Sequence, residues 1–232
     1  MDEMLLMPTS GVEEEQTQVD RMPWLQRERT GFLRAWLATI GMALIHPIRL
    51  MRTVPMSSSP GQAWWFAVLT NTLTWSVGFG PLMLLPIIVV GFSPTTGARS
   101  VPVFELLAVV GIALLFAAGG TLAFLAGWGA VAHGLLRATG STAGTIGRTY
   151  QAIGYAAGAN VMTAVPCVGY YFGWIWWVVS AVLMVKEGQR VQGWRATLAV
   201  LAFPALLLFT GVTLYAVLVT SLIISARPPA GL

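Results

Sequence analysis

Charge is scarce in this chain. Of its 232 residues only 9% are Asp, Glu, Lys or Arg, against about 25% in a soluble domain. With 56% hydrophobic residues, a soluble globular fold is excluded, and so is disorder through the bulk of the chain. Cysteine occurs once, at Cys167, which excludes an intramolecular disulfide and any multi-thiolate metal site. Two histidines, His46 and His133, on separate elements are too few for zinc. No phosphate-binding loop or dinucleotide fingerprint is present, so the many glycines are no sign of a nucleotide site. What remains is an all-α polytopic membrane protein for which no cofactor, metal or nucleic-acid partner is expected.

The charges that are present are unevenly placed. Residues 1–28 hold seven of the nine acids against Arg21 and Arg27, whereas the rest of the chain holds eleven bases against Glu105 and Glu187 alone. The segment 1–29 therefore reads as an acidic, flexible cytoplasmic tail. It lacks the basic start and apolar stretch of a secretory signal.

Charge-free runs cover 53–98, 106–136, 149–185 and 196–226. A helix crossing a hydrocarbon core of ~30 Å needs about 20 apolar residues. The runs predict spans at 63–92, 103–136, 149–165, 169–185 and 196–224. Pro81 and Pro86 are expected to kink the first, and the polar stretch 91–100 connects it to the second. The Pro166-Cys167-Val168-Gly169 turn divides the third from the fourth, and Pro204 lies within the last. A break at Gly119-Gly120 would make six spans, with halves of about 16 residues that are short for crossing. It would also move Arg137, Arg148, Lys186, Arg190 and Arg195 outside, against the positive-inside rule. Five spans leave only Arg99 and Arg227 outside. The N-terminus is then cytoplasmic and the short tail 225–232 external, in the inner membrane of a bacterium.

Ahead of the spans, residues 30–54 present Phe32, Leu33, Trp36, Leu37, Ile40 and Leu44 on one helical face. The uncharged stretch within them is too short to cross, and Pro47 should break or bend it. Arg34, Arg49 and Arg52 flank it. The expectation is an interfacial amphipathic helix, with Arg34, Trp36, Arg49 and Arg52 contacting the lipid surface. A re-entrant or core-packed helix is the alternative.

Few residues could carry chemistry. Glu105 and Glu187 fall on opposite sides of the membrane and cannot act as an acid–base pair. Glu105 suits the first turn of a helix, and Glu187 can pair with Arg190 three residues on. Both histidines are expected to be wet and interfacial, and Cys167 has no basic neighbour to activate it. No enzymatic activity is expected. Gly154 with Gly158, and Gly169 with Gly173, form GxxxG pairs suited to close helix packing, within the chain or in a homo-oligomer. Gly119, Ala123 and Gly127 continue this theme. Asn71, Thr74 and Asn160 are candidates for an intramembrane polar site, placed as a transporter would place them.

The segment from Gly140 onward resembles the Yip family of membrane proteins, named for interaction with Ypt/Rab GTPases, in its bacterial branch. Gly140, Gly144 and Gly147 match its Gly-rich inner loop, followed by Thr149 and Tyr150 and by Gly154-Tyr155. Pro166 and Gly169 match its Pro-x-x-Gly turn, Ile175-Trp176 its Ile-Trp pair, and Arg195-Ala196 the opening of its last span. The aromatic-rich helix ending at His46-Pro47 is similar to the family's segment before the first span, so the likeness covers about residues 30–220. It implies five spans with a cytoplasmic N-terminus. Eukaryotic members carry an Asp-Leu-Tyr-Gly-Pro motif that this chain lacks, so Rab binding does not follow. The expected role is non-enzymatic: organising the membrane or recruiting a partner at the cytoplasmic face. A small permease or lipid-handling transporter is the alternative.

Overall fold

The computed structural model describes residues 22–91, 103–165 and 168–225. Every regular element among them is helical. After a 3-10 turn at Pro23–Gln26 come α1 (Arg27–Thr30), α2 (Phe32–Ile45), α3 (Pro47–Thr53), α4 (Pro60–Gly91) and α5 (Val103–Ala138). Then follow α6 (Ile146–Ala156), a 3-10 helix (Ala157–Ala164), α7 (Val168–Gln189) and α8 (Gly193–Ser225). The acidic tail up to residue 21, most of the connection after Gly91, the external tail from 226, and Pro166 and Cys167 lie outside the described residues.

Two helices are long and apolar enough to cross a membrane, over Leu107–Ala138 in α5 and Gly193–Ile223 in α8, rather than the five expected. The most apolar stretch of each is almost wholly unburied by the protein itself. α5 runs unbroken through Gly119-Gly120, so no hairpin forms there, and α4 continues as one helix past Pro81 and Pro86.

The expected span at 149–165 differs most from its prediction. It changes at Ala157 from α to 3-10 geometry, and residues 148–160 are all buried except the half-buried Tyr150. Glycine and alanine explain this central position. A Cβ on Gly154 would stand 2.9 Å from the Ala63 carbonyl oxygen of α4, and one on Gly158 would stand 2.8 Å from Ala43 Cβ of α2. α7 approaches the 3-10 helix through Gly173, where any side chain would strike Thr163. Around it the core includes Phe66, Trp128, Ile153, Tyr155, Trp177 and Met184, contributed by α4, α5, α6 and α7. α8 packs on α5 and α7 through Ala196, Ala199 and Val200, then leaves the core, and nearly every side chain from Ala205 to Ser225 is exposed.

The segment 30–54 is not one helix. It breaks at Gly31, where φ is +88°, and at His46 ahead of Pro47. α2 turns Ala35, Thr39, Ile40 and Ala43 inward and leaves Phe32, Leu33 and Leu37 exposed. Trp36, expected at the lipid surface, instead donates its indole N–H to Thr70 Oγ1 of α4 at 3.0 Å. Thr70 is ten residues into α4, about 15 Å along it. Trp176 of α7 donates to the Leu44 carbonyl at 2.8 Å. α2 thus packs alongside α4 and the 3-10 helix, and α3 packs against α7. The spacing of apolar residues defined a face but could not say which half of it neighbouring helices would cover.

Candidate functional site

Two polar groupings stand out. The first lies where α3, α5, α6, α7 and α8 end or begin. Arg148 of α6 is buried, and no carboxylate balances it among the described residues. It donates instead to the carbonyls of Met51 and Val54, both at 2.9 Å, and to Gln151 Oε1 at 3.0 Å. The two carbonyls belong to the C-terminal end of α3, the negative end of that helix. Arg195 does the same for α5, donating to the carbonyls of Leu136 at 2.8 Å and Ser141 at 3.1 Å and to Thr139 Oγ1 at 3.2 Å. Beside it Gly140 takes φ +138°, a backbone open to glycine, and the guanidinium crowds the space a side chain would need.

Gln189 ties α7 to this end. It donates to the Thr145 carbonyl (3.0 Å) and Thr149 Oγ1 (2.8 Å) and accepts from the Gly144 amide (2.9 Å). Thr149 in turn bonds His133 Nδ1 at 3.0 Å, so His133 is buried in a network rather than wet as expected. Glu187 pairs with Arg52 of α3 at 2.8 Å and not with Arg190. That bond raises the Arg52 pKa above its ordinary value. Arg190 ends α7 in the left-handed region, with φ +51°, which turns the chain away. Arg52 is therefore a tie between helices. Arg34 and Arg49, also predicted at the lipid surface, are exposed.

The second grouping is the predicted intramembrane site. Asn160 Nδ2 donates to Asn71 Oδ1 at 2.9 Å, joining the 3-10 helix to α4. Thr74, one turn along α4, is buried too. Asn71 Oδ1 accepts this bond, and Asn160 Oδ1 is buried with no partner among the described residues. Asn71 is also part of the wall of a cavity of about 290 Å³ between α4, α5 and α7. Aromatic rings form most of that wall: Trp75, Phe116, Phe124, Trp174 and Trp177. Phe124 is the hub, with ring centroids 5.8 Å from Trp174, 5.6 Å from Trp177 and 5.5 Å from Phe203. The indole nitrogens of Trp174 and Trp177 are buried and have no acceptor among the described residues.

Of the predicted packing residues, Gly154, Gly158, Gly169 and Gly173 all meet another element closely, Tyr155 is fully buried, and Pro166 lies outside the described residues. Of the small-residue row on α5, only Gly127 is pressed, against Phe203, while Gly119 has open space around it. Among the described residues no group of three His, Cys, Asp or Glu side chains could hold a metal ion. No protein-family model, no curated protein and no solved structure matches the chain. Its chemistry therefore has to be argued from the cavity and from the charged end.

Proposed function

We propose that this chain is a non-enzymatic, Yip-like protein of a bacterial inner membrane, crossing it five times with a cytoplasmic N-terminus and an external C-terminus, and organising lipid or recruiting a partner at its cytoplasmic face. One observation carries the reading: the contacts among α3, α5, α7 and α8 gather Arg52, Arg137, Arg148, Lys186, Arg190 and Arg195 at one end of the bundle. Of these, Arg137, Lys186 and Arg190 are exposed and, with Arg49, form a basic face for anionic headgroups. The 3-10 segment helps the count of spans. Its steeper rise lets the residues of α6 and the 3-10 helix together reach about 32 Å, enough for a core of ~30 Å. On this reading the exposed Phe32, Leu33 and Leu37 of α2 meet acyl chains rather than phosphates.

The test replaces Arg49, Lys186 and Arg190 together with Gln, leaving the helix-end contacts intact. Each basic residue near an anionic surface contributes about 1 kcal/mol, so anionic phospholipid retained by the purified protein should fall sharply. Unchanged retention overturns the headgroup role. For orientation, a membrane-impermeant maleimide should label Cys167 on intact spheroplasts, and labelling confined to inside-out vesicles overturns it.

A second reading, lipid handling, rests on an apolar groove of about 900 Å³ between α4 and α5. Arg27 lies in its wall, fixed by a 2.8 Å bond to Gln62 Oε1 and stacked 5.0 Å above the Trp24 ring. Reconstituted liposomes with a lipid or solute flux assay separate the two: scaffolding predicts no flux above empty vesicles.

A further inference from the structure

The groove between α4 and α5 has an apolar neighbour and an unbalanced charge, and the two together select an occupant. Its wall follows one stripe of α4, from Gln62 through Trp65 and Leu69 to Thr72, facing Gly111 to Ala118 of α5. Between Gln62 and Thr72 α4 rises about 15 Å, half of a ~30 Å hydrocarbon core and so the depth of one leaflet. A second apolar groove, of about 620 Å³, shares Trp65, Val68 and Ala118 with the first and adds Leu122 and Tyr150 to its wall. Trp65, 71% exposed, stands where the two meet. Contiguous apolar channels on either side of one ring suit two acyl chains carried by one molecule.

Arg27 is the one charged side chain in either wall among the described residues. Its Nη1 donates to Gln62 Oε1 at 2.8 Å and to the Trp24 carbonyl at 3.2 Å, while Nε and Nη2 have no acceptor among the described residues. Glu28, next in sequence, is exposed and makes no ion pair with it. A guanidinium keeps its proton, so an anion has to balance it, and its planar fork fits the oxygens of a phosphate. The corner is also built before a ligand arrives. Trp24 donates its indole N–H to the Gln62 carbonyl at 3.1 Å, and its ring lies 5.0 Å from the guanidinium, so little freedom is lost on binding. Of the other polar side chains in the wall, Gln62 is engaged by Arg27 and the Thr72 hydroxyl is buried. Gln62 lies two residues into α4, so the cation marks one end of the groove and the apolar stripe runs away from it.

We infer that the paired grooves bind one anionic glycerophospholipid, its phosphate on Arg27 and its two acyl chains on either side of Trp65. The inference deepens the lipid-handling reading and rests on it for placing the grooves in the membrane. It needs neither flux nor the basic face.

Gly111 gives a way to close the site. It belongs to the wall, and a Cβ built there meets nothing within 4 Å, so Gly111→Phe fills the first groove without a clash at its root. The full chain in detergent is titrated with dioleoyl phosphatidylglycerol and followed by native mass spectrometry. Dioleoyl phosphatidylcholine, which is zwitterionic, and oleoyl lysophosphatidylglycerol, which has one chain, are the comparisons. One saturable adduct of phosphatidylglycerol is expected, about five-fold tighter than phosphatidylcholine and about ten-fold tighter than the lysolipid. Arg27→Gln should weaken it about ten-fold, and Gly111→Phe at least as much. No saturable adduct, a comparison lipid that binds as tightly, or an Arg27→Gln protein that binds as the wild type does overturns the inference. So does a dimer that Gly111→Phe dissolves, because a second copy of the chain would then fill the grooves. Should Arg27→Gln fail to fold, the lipid comparison and Gly111→Phe decide it. Replacing Arg49, Lys186 and Arg190 should lower total anionic lipid and leave this adduct, and Arg27→Gln should do the reverse, so either proposal can fail alone. Absence of flux leaves the adduct standing.

Discussion

The third and fifth predicted spans are both apolar, yet the bundle uses them in opposite ways. Residues 151–160 are buried throughout, whereas nearly every side chain from Ala205 to Ser225 is exposed. The first segment is mostly glycine, alanine and hydrogen-bonding side chains; the second is richest in leucine, with valine, isoleucine and threonine. In water, apolar bulk would mark the core. In lipid the apolar tails match leucine, so bulk points outward, and the helices that meet each other are those whose backbones can approach closely.

Substitutions can break this contrast, and their effects should fall in a definite order. Gly158→Leu is the most damaging, because its first carbon already meets Ala43 Cβ at 2.8 Å and the Ile40 Cα at 3.3 Å. It should cost about 3 kcal/mol, read as a large drop in melting temperature in detergent. Arg148→Met comes next. It keeps much of the volume but leaves the Met51 and Val54 carbonyls without their donor, at about 2 kcal/mol in the same melt. A double-mutant cycle on Asn71→Leu and Asn160→Leu should give a coupling of about 0.6 kcal/mol, as for other polar pairs between membrane helices. On the other side of the contrast, Phe209→Ala removes a side chain 73% exposed. It should leave the melt within about 0.5 kcal/mol of wild type. A large loss there would mean that α8 is covered by a second copy of the chain.

Much of the helical frame was readable because charge interrupts it at regular places. The expected 103–136 became Val103–Ala138, and 196–224 became Gly193–Ser225, each running a turn or less further into its polar flank. The small-residue spacing also pointed to Gly154 and Gly158, since close approach is a local property of the residue. What could not be read was the partner of each polar group. Arg148 bonds residues nearly a hundred positions earlier, and Glu187 finds Arg52 rather than its neighbour Arg190. Sequence proximity favoured Glu187 with Arg190, and His133, expected to be wet, bonds Thr149 on the next helix. Asn71 and Asn160 were individually visible as polar residues in apolar surroundings. Their meeting, and the ring of aromatics around Asn71, depended on how α4, α5 and α7 converge.

Arg148 and Arg195 have a consequence for how the protein is made. In the finished molecule their guanidinium groups are occupied by the carbonyl ends of α3 and α5. In a chain still emerging from the ribosome those acceptors are not yet assembled, and both cations are free to be held back on the side of synthesis. On the orientation proposed above, the same two residues serve at successive times, first directing insertion and then fastening the inserted helices. A variant such as Arg195→Gln would carry two separable defects, one in the fraction of chains threaded correctly and one in the durability of those that are. A pulse-chase with protease accessibility would resolve the first within minutes of synthesis, before the second has had time to register.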